Sequence, residues 1–157
     1  MAEDRSNRSF KVMGGSRTFD VCDYVREMQQ TAQSFSLYVG CDSQNYRSYT
    51  VYATTVVFRY AGAGAHVIYR KEKVPRIEDM WTKLWGEAER SVASAHLSRE
   101  ETSVQVEQID LDFNTDPAYP SNKLLSASSG YIHALGFPTG AKPGLLMAAW
   151  AAASLCH

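Results

Sequence analysis

The feature that most constrains the fold is a run of three strand-like segments joined by short connections. Residues 35–40, 50–60 and 65–74 are rich in the branched and aromatic residues that favour β-strands. Polar residues 42–45 form a turn after the first segment, and the small residues 61–65 separate the second from the third. Consecutive strands with short connections predict an antiparallel meander.

After the meander the apolar period becomes helical. Pro75 ends the third strand, because proline cannot donate a hydrogen bond to the ladder. A first helix is predicted at 18–32, before the meander, with Thr18 as its N-cap. After the meander we predict a helix at 78–96, ended by the stretch 97–102, and then a strand at 104–113. A helix at 121–135 closed by Gly136, a short strand at 137–142 and a last helix from 145 complete the chain. This order predicts an α/β fold, with a mixed sheet of meander and parallel strands and helices on both faces.

The chain has the size and composition of one globular domain. It has 157 residues, of which 45% are hydrophobic and 21% charged, so general disorder is not expected. We expect one domain at 18–157, preceded by a flexible lead-in at 1–17 that is charged, rich in serine and contains Gly14 and Gly15 in tandem.

Neither a signal peptide nor a membrane span is apparent. Residues 1–8 are polar, and the apolar stretch 145–156 is too short to cross a bilayer. We therefore expect a cytoplasmic protein with no membrane partner. The widely spaced Cys22, Cys41 and Cys156 form no Cys-x-x-Cys pair, so we interpret them as small core residues rather than as zinc ligands or a disulfide framework.

The charge argues against strong non-specific binding to a phosphate backbone. The net charge is −1, whereas such binding needs many Lys and Arg residues. A local basic patch is still open. Its members would be Arg59, Arg70, Lys71, Lys73 and Arg76, which equally well protect a solvated sheet edge.

Acidic residues interrupt two of the predicted strands. Asp42 directly follows an apolar strand, so it either caps its turn through the backbone of Gln44 or has a buried partner, such as a metal ion. Asp110 and Asp112 are two residues apart on a strand and point to one face. Either that face of the strand is exposed to solvent, or one of its two carboxylates lies beside Asp42 on a neighbouring strand.

A third carboxylate, Glu87, follows Gly86 inside a predicted helix. Glycine is costly there and is tolerated where the backbone closely approaches another group. Glu87 either forms a surface pair with Arg90 or joins the two aspartates. Carboxylates suit Mg²⁺, and two such ions activate water in phosphodiester hydrolysis.

Several short motifs, in order, resemble one known family. Residues 39–44 (VGCDSQ) resemble the Gly-x-Asp-Ser-Gln motif of the YkuK-type ribonuclease-H-like family, a largely uncharacterised group. Further similar segments are 69–76 (YRKEKVPR), 110–114 (DLDFN), Ser121 with Asn122, Lys142 with Pro143, and 150–154 (WAAAS). The resemblance extends from about Thr18 to the end of the chain.

The resemblance implies a ribonuclease-H-like fold and a set of site residues. Asp42, Glu87 and Asp112 would be catalytic and bind Mg²⁺ or Mn²⁺, with Glu89 as the rival of Glu87. The resemblance also implies that Ser43, Asn114 and Asn122 contact the substrate or orient the metal ligands. His157 would be catalytic, in product release or proton transfer, near the fourth acidic position of the family, where it replaces a carboxylate. The loop 142–150 is also longer than in the family.

Two functions follow from these residues. The first is a divalent-metal-dependent nuclease that hydrolyses phosphodiester bonds of RNA, DNA or a hybrid by a two-metal mechanism. The alternative is an inactive ribonuclease-H-like module that binds nucleic acid or a protein, because a fold does not fix a function. A phosphotransfer enzyme is disfavoured, because the Gly62–Gly64 turn opens no helix and so forms no phosphate loop.

Overall fold

Among the residues that the structure describes, seven strands form one sheet, and four α-helices accompany it. The structure, a computed structural model, describes residues 5–31, 33–62, 64–113, 118–119, 121–141 and 146–156. The strands are β1 (Ser9–Val12), β2 (Thr18–Asp20), β3 (Phe35–Asn45), β4 (Tyr49–Tyr60), β5 (Ala65–Pro75), β6 (Val106–Leu111) and β7 (Thr139–Ala141). The helices are α1 (Val21–Gln29), α2 (Met80–Thr102), α3 (Ser121–Ala134) and α4 (Met147–Cys156), and a single 3₁₀ turn spans Arg5–Arg8.

The sheet is mixed, as the sequence predicts. Its order is β2-β1-β5-β4-β3-β6-β7. The meander β3-β4-β5 is antiparallel, whereas β6 pairs in parallel with both β3 and β7. The long central strands β3 and β4 are therefore paired on both sides. The α/β fold class and the mixed sheet are confirmed.

The two faces of the sheet carry different cores. Leu37 and Val39 of β3 belong to the main apolar cluster, which includes Ala88 and Val92 of α2. Tyr38, between them on the strand, packs with Ala148 of α4 instead. Because alternate residues of a strand point to opposite faces, α2 and α4 lie on opposite faces of the sheet. The helices on both faces are thus also confirmed.

The N-terminal segment differs from the sequence-based expectation. Residues 9–12, expected in a flexible lead-in, form β1, whose Phe10 is fully buried. Residues 18–20, expected in the first helix, form β2, so that Asp20 rather than Thr18 caps α1 by accepting from the backbone of Cys22 and Asp23. Arg8 binds both Asp20 and Glu101, which ties this segment to the end of α2. These long-range contacts have no local sequence signal.

Two central elements are longer than predicted. Strand β3 continues to Asn45, because its polar residues 42–45 pair with residues 50–53 of β4. Helix α2 continues through residues 97–102 to Thr102, and within it the hydroxyls of Ser98 and Thr102 donate to the carbonyl oxygens of Ser94 and Ser98. The predicted turn at 42–45 and the predicted helix end at 96 are therefore wrong.

The remaining expectations concern the C-terminal half. Gly136 follows α3 with φ +87°, the left-handed conformation expected after a helix end. All three cysteines are free and buried, as predicted. Within the described residues, no helix combines the length and apolar character that a bilayer crossing requires.

Candidate carboxylate site

Asp42 and Asp112 lie at equivalent points of two neighbouring parallel strands. Gly40 of β3 is the register partner of Asp110 of β6, and the ladder between these strands ends at that pair. Asp42 and Asp112 each follow this pair by two residues, so the pleat gives their side chains the face of Gly40 and Asp110. Adjacent strands are about 4.8 Å apart. Both side chains are partly exposed. The sheet therefore presents two neighbouring carboxylates where the ladder opens.

Asp110 has a different task from Asp112. Its Oδ2 accepts hydrogen bonds from the backbone N–H groups of Ala148 (2.7 Å) and Ala149 (3.1 Å) in the first turn of α4. Its Oδ1 accepts from Nε2 of Gln108 at 2.7 Å. Asp110 is only 2% exposed, and burial raises the pKa of its carboxyl group. This aspartate anchors α4 to the sheet, which leaves Asp112 as the strand carboxylate beside Asp42.

Gly40 permits the close contact that Asp110 anchors. A Cβ atom at this position would lie 2.7 Å from the backbone nitrogen of Ala149 and 2.8 Å from the carbonyl carbon of Ala148. Both are backbone atoms, so a rotamer change cannot relieve the overlap. The glycine of the motif 39–44 therefore lets α4 rest directly on β3, two residues before Asp42.

Glu87 lies on the other face of the sheet, beside the strand end that carries Asp42. It is 4% exposed, and the hydroxyl of Ser43 donates a hydrogen bond to its Oε2. Burial raises the pKa of Glu87 to about 8, and the negative charges of Asp42 and Asp112 also raise it. The Ser43 hydrogen bond and the charge of Lys83 act in the opposite direction. The three carboxylates thus interact electrostatically at one end of the sheet.

Helix α2 is held against the meander beside Glu87. The hydroxyl of Tyr52 donates to the carbonyl oxygen of Lys83 at 2.8 Å, and Nζ of Lys83 donates to the carbonyl oxygen of Ser43 at 3.3 Å. A Cβ at Gly86 would lie 2.5 Å from the Tyr52 hydroxyl oxygen. The costly helical glycine therefore has the close-approach role that the sequence predicts.

The alternative acid and the alternative pairing are both separate from this cluster. Glu89 is exposed, two residues beyond Glu87 on α2. Arg90 binds Glu72 of β5 at 2.8 Å, and its guanidinium lies 3.7 Å from the centroid of the Tyr52 ring. The alternative of a surface pair between Glu87 and Arg90 is therefore wrong, because Glu87 is buried and Arg90 forms its ion pair with Glu72.

The other predicted site residues fall into three groups. Ser43 contacts Glu87 directly. Asn122 is half-buried in the first turn of α3, where its backbone nitrogen donates to the carbonyl oxygen of Tyr119 at 3.1 Å. Asn114 and His157 lie outside the described residues.

Two neighbours of the cluster were not predicted. Lys83 lies one helical turn before Glu87, and this i, i+4 spacing was the available sequence signal. The thiol of Cys156, at the end of α4, donates to the carbonyl oxygen of Asp42 at 3.2 Å. Burial raises the pKa of this thiol to about 12, and the charge of Asp42 adds to that effect. No local pattern links residues 42 and 156, because α4 brings them together.

The donor chemistry of the cluster fits a hard divalent cation. All three acidic groups offer oxygen, the ligand atom that Mg²⁺ prefers. Burial raises the pKa of Glu87 most, and the charges of Asp42 and Asp112 raise it further. Within the described ranges, however, no three Asp, Glu, His or Cys side chains are grouped closely enough to hold an ion as they stand. The cluster has the right chemistry without a preformed set of three ligands.

The mixed sheet and the helices on both of its faces are consistent with a ribonuclease-H-like fold. The Ribonuclease H-like family model matches residues 20–156. The chain belongs to this family. No curated protein and no solved structure matches it.

Proposed function

We propose that the protein is a divalent-metal-dependent nuclease that hydrolyses phosphodiester bonds of RNA, DNA or a hybrid. The observation that supports this most is the placement of Asp42 and Asp112 two residues beyond the last pair of the β3–β6 ladder, with the buried Glu87 near enough for their charges to raise its pKa. A family fold associated with nucleic acids supports it further. The proposal rests on these residues and not on net charge, which is close to neutral.

In this proposal the three carboxylates share the binding of Mg²⁺ or Mn²⁺. Asp42 and Asp112, being partly exposed, face the incoming phosphate, and Glu87 closes the site from within. Two bound ions supply an activated water and neutralise charge on the phosphate. The Ser43 hydroxyl orients Glu87, and Lys83 offsets part of the negative charge while the site is empty.

Three further residues keep their sequence-based assignments within the proposal. Asn114 and Asn122 would contact the substrate or orient the ligands. His157 would assist proton transfer, since an imidazole titrates near neutral pH.

A second candidate is an inactive nucleic-acid-binding or protein-interaction module on the same fold. The observation that favours it is the missing preformed ligand group among the described residues. In that case no cation would neutralise the three carboxylates, and their repulsion would lower the stability of the folded state. Glu87 would be protonated at neutral pH, because its pKa is raised to about 8.

Thermal unfolding with Mn²⁺ separates the two candidates. At Mn²⁺ about 100-fold above its dissociation constant, binding raises the melting temperature of a domain of this size by about 5 °C or more. We expect this shift in the unaltered chain and in the exposed control Glu89→Gln, but not in Asp42→Asn. Equal shifts in the unaltered chain and Asp42→Asn contradict the metal site.

Turnover requires its own measurement. Labelled single-stranded RNA, single-stranded DNA and a hybrid duplex are incubated with Mn²⁺ and the unaltered chain, Asp42→Asn or Glu89→Gln. The nuclease proposal expects cleavage that needs Mn²⁺ and disappears in Asp42→Asn only. Binding without cleavage, unchanged in Asp42→Asn, selects the module.

A further inference from the structure

A groove on the α4 face of the sheet lies beside the carboxylate cluster. It has a volume of about 370 Å³ and opens between the end of α4 and the strands β4 and β5. Its lining consists of Tyr46, Tyr49, Val51, Lys71, Glu72, Lys73 and Cys156. We call it the tyrosine–lysine groove. None of these residues has a part in the proposed hydrolysis.

The groove and Asp42 lie on the same face of the meander, separated by the last turn of α4, whose Ala152 and Cys156 cover Ala53. Ala53 is the register partner of both Asp42 and Lys71, so these three side chains lie in one row on one face of the meander. Two strand spacings separate the ends of the row, about 10 Å. Cys156 lies between them, since its thiol donates to the carbonyl oxygen of Asp42 and also lines the groove. Val51 of the groove is the register partner of Gln44, two residues after Asp42 on the same face, so a chain bound in the groove would approach Asp42 around the end of α4.

The lysines of the groove carry charges that neighbouring acids do not neutralise. The ion pairs among the described residues include neither Lys71 nor Lys73, and both side chains are exposed. The acidic member of the lining is Glu72, and its Oε2 is bound by Arg70 at 3.3 Å and Arg90 at 2.8 Å. The groove thus keeps two positive charges in a protein whose net charge is −1.

Aromatic rings form the other part of the lining. The rings of Tyr46 and Tyr49 are stacked, with centroids 5.0 Å apart and planes inclined by 21°. Nζ of Lys73 lies 4.6 Å from the centroid of the Tyr49 ring. The Tyr46 hydroxyl donates to the carbonyl oxygen of Cys156, which fixes this ring against the end of α4. Ring faces beside lysines are the combination that binds unpaired bases and their phosphates.

We propose that the tyrosine–lysine groove binds a single-stranded segment of nucleic acid and directs it toward Asp42. This proposal deepens the proposed nuclease function, because it names the substrate class of the same site. Lys71 binds one phosphate, and Lys73 leaves its place over the Tyr49 ring to bind another, so that a base packs on the ring face that Lys73 vacates. A base-paired strand offers its phosphates but not its base faces, so the groove distinguishes single strands from duplexes.

The charge part of the proposal is tested by Lys71→Gln combined with Lys73→Gln. Binding of fluorescent single-stranded RNA and DNA is followed by anisotropy, in EDTA and in an Asp42→Asn background. Each lost phosphate contact lowers the salt slope of single-strand binding by about 0.7. We expect the slope to fall by about 1.4 and the affinity in dilute salt to fall about tenfold or more. The matched control, Arg17→Gln with Lys123→Gln, removes two exposed charges elsewhere and keeps the slope.

The aromatic part is tested by Tyr49→Leu against Tyr49→Phe. Loss of one stacked base lowers affinity about fivefold or more, so we expect this loss for single strands in Tyr49→Leu, whereas Tyr49→Phe binds normally. Melting curves verify that each variant is folded, and a variant that does not fold is replaced by Tyr46→Phe, which frees the ring from Cys156.

Three results would contradict the proposal that the groove binds single strands. They are no binding of single strands by the parent chain, equal binding by the lysine variant and its control, and an equal loss for single strands and duplexes. A stronger effect on RNA than on DNA identifies the natural substrate and supports the groove. Since all of these measurements exclude metal, a failed groove leaves the Mn²⁺ shift intact, and a failed Mn²⁺ shift leaves groove binding intact.

Discussion

The two faces of the sheet are packed in opposite ways. The α2 face is filled with large apolar side chains, such as Phe58, Ile68 and Ile109, all fully buried. The α4 face is packed through small residues, with Gly40 and Ala53 on the strands and Ala148 and Ala152 on the helix. The first face buries most of the apolar area, and the second brings backbones close together.

This difference explains where the carboxylates can be placed. A helix that lies close to the sheet leaves Asp42 and Lys71 on either side of its last turn, still partly or fully exposed. A thick apolar layer instead encloses Glu87, the one acidic side chain that the α2 face buries within the described ranges. Glu87 is therefore the exception that tests the comparison most strongly.

The largest expected effect is a pH dependence caused by Glu87. Its folded-state pKa of about 8 exceeds the ordinary value of 4.5, so the folded state holds a proton that the unfolded state releases. The free energy of unfolding should consequently fall as pH rises from about 4.5 to 8. At about 1.4 kcal/mol per pKa unit, the loss is on the order of 2–4 kcal/mol. Urea unfolding in EDTA at pH 5 and pH 8 measures it.

Glu87→Gln removes this dependence, because the amide does not ionise. The variant should match the unaltered chain near pH 5 and exceed its stability at pH 8. Glu89→Gln, on the exposed side of α2, should keep the pH dependence. If Glu87→Gln and the unaltered chain lose stability equally between pH 5 and 8, the buried carboxylate is not the cause.

The second effect concerns the close packing of α4. Gly40→Ala places a Cβ against the backbone of Ala148 and Ala149, so α4 must move away from β3. Overpacking of this kind costs about 1–3 kcal/mol, measured by urea unfolding. The matched control is Gly130→Ala in α3, where a Cβ would meet nothing within 4 Å. Alanine is favoured over glycine by up to about 1 kcal/mol in a helix, so the control should gain stability. An unchanged Gly40→Ala would show that the contact with α4 is loose.

Local patterns predicted part of the fold and of the site, whereas contacts between distant residues were not predictable. The meander was predictable because residues 50–60 and 65–74 have strong local β-propensity. Asp42 and Glu87 stood out because each breaks a local rule, an acid in an apolar strand and an acid after a helical glycine. The distinction between Asp110 and Asp112 was not predictable. It depends on an α4 N-terminus nearly forty residues away, and local patterns do not encode such contacts.

The smallest effect is a direct comparison of the faces within one strand. Val56 and Val57 are neighbours in β4 and fully buried, but Val56 belongs to the main cluster on the α2 face and Val57 to the small cluster beside Ala148. Replacing each by alanine removes the same two methyl groups, about 0.8 kcal/mol each by transfer alone. The cavity adds more where large neighbours cannot collapse. We expect Val56→Ala to lose about 1 kcal/mol more than Val57→Ala in urea unfolding. Equal losses would mean that both faces are packed with the same rigidity, and the small residues of the α4 face would then serve close approach alone.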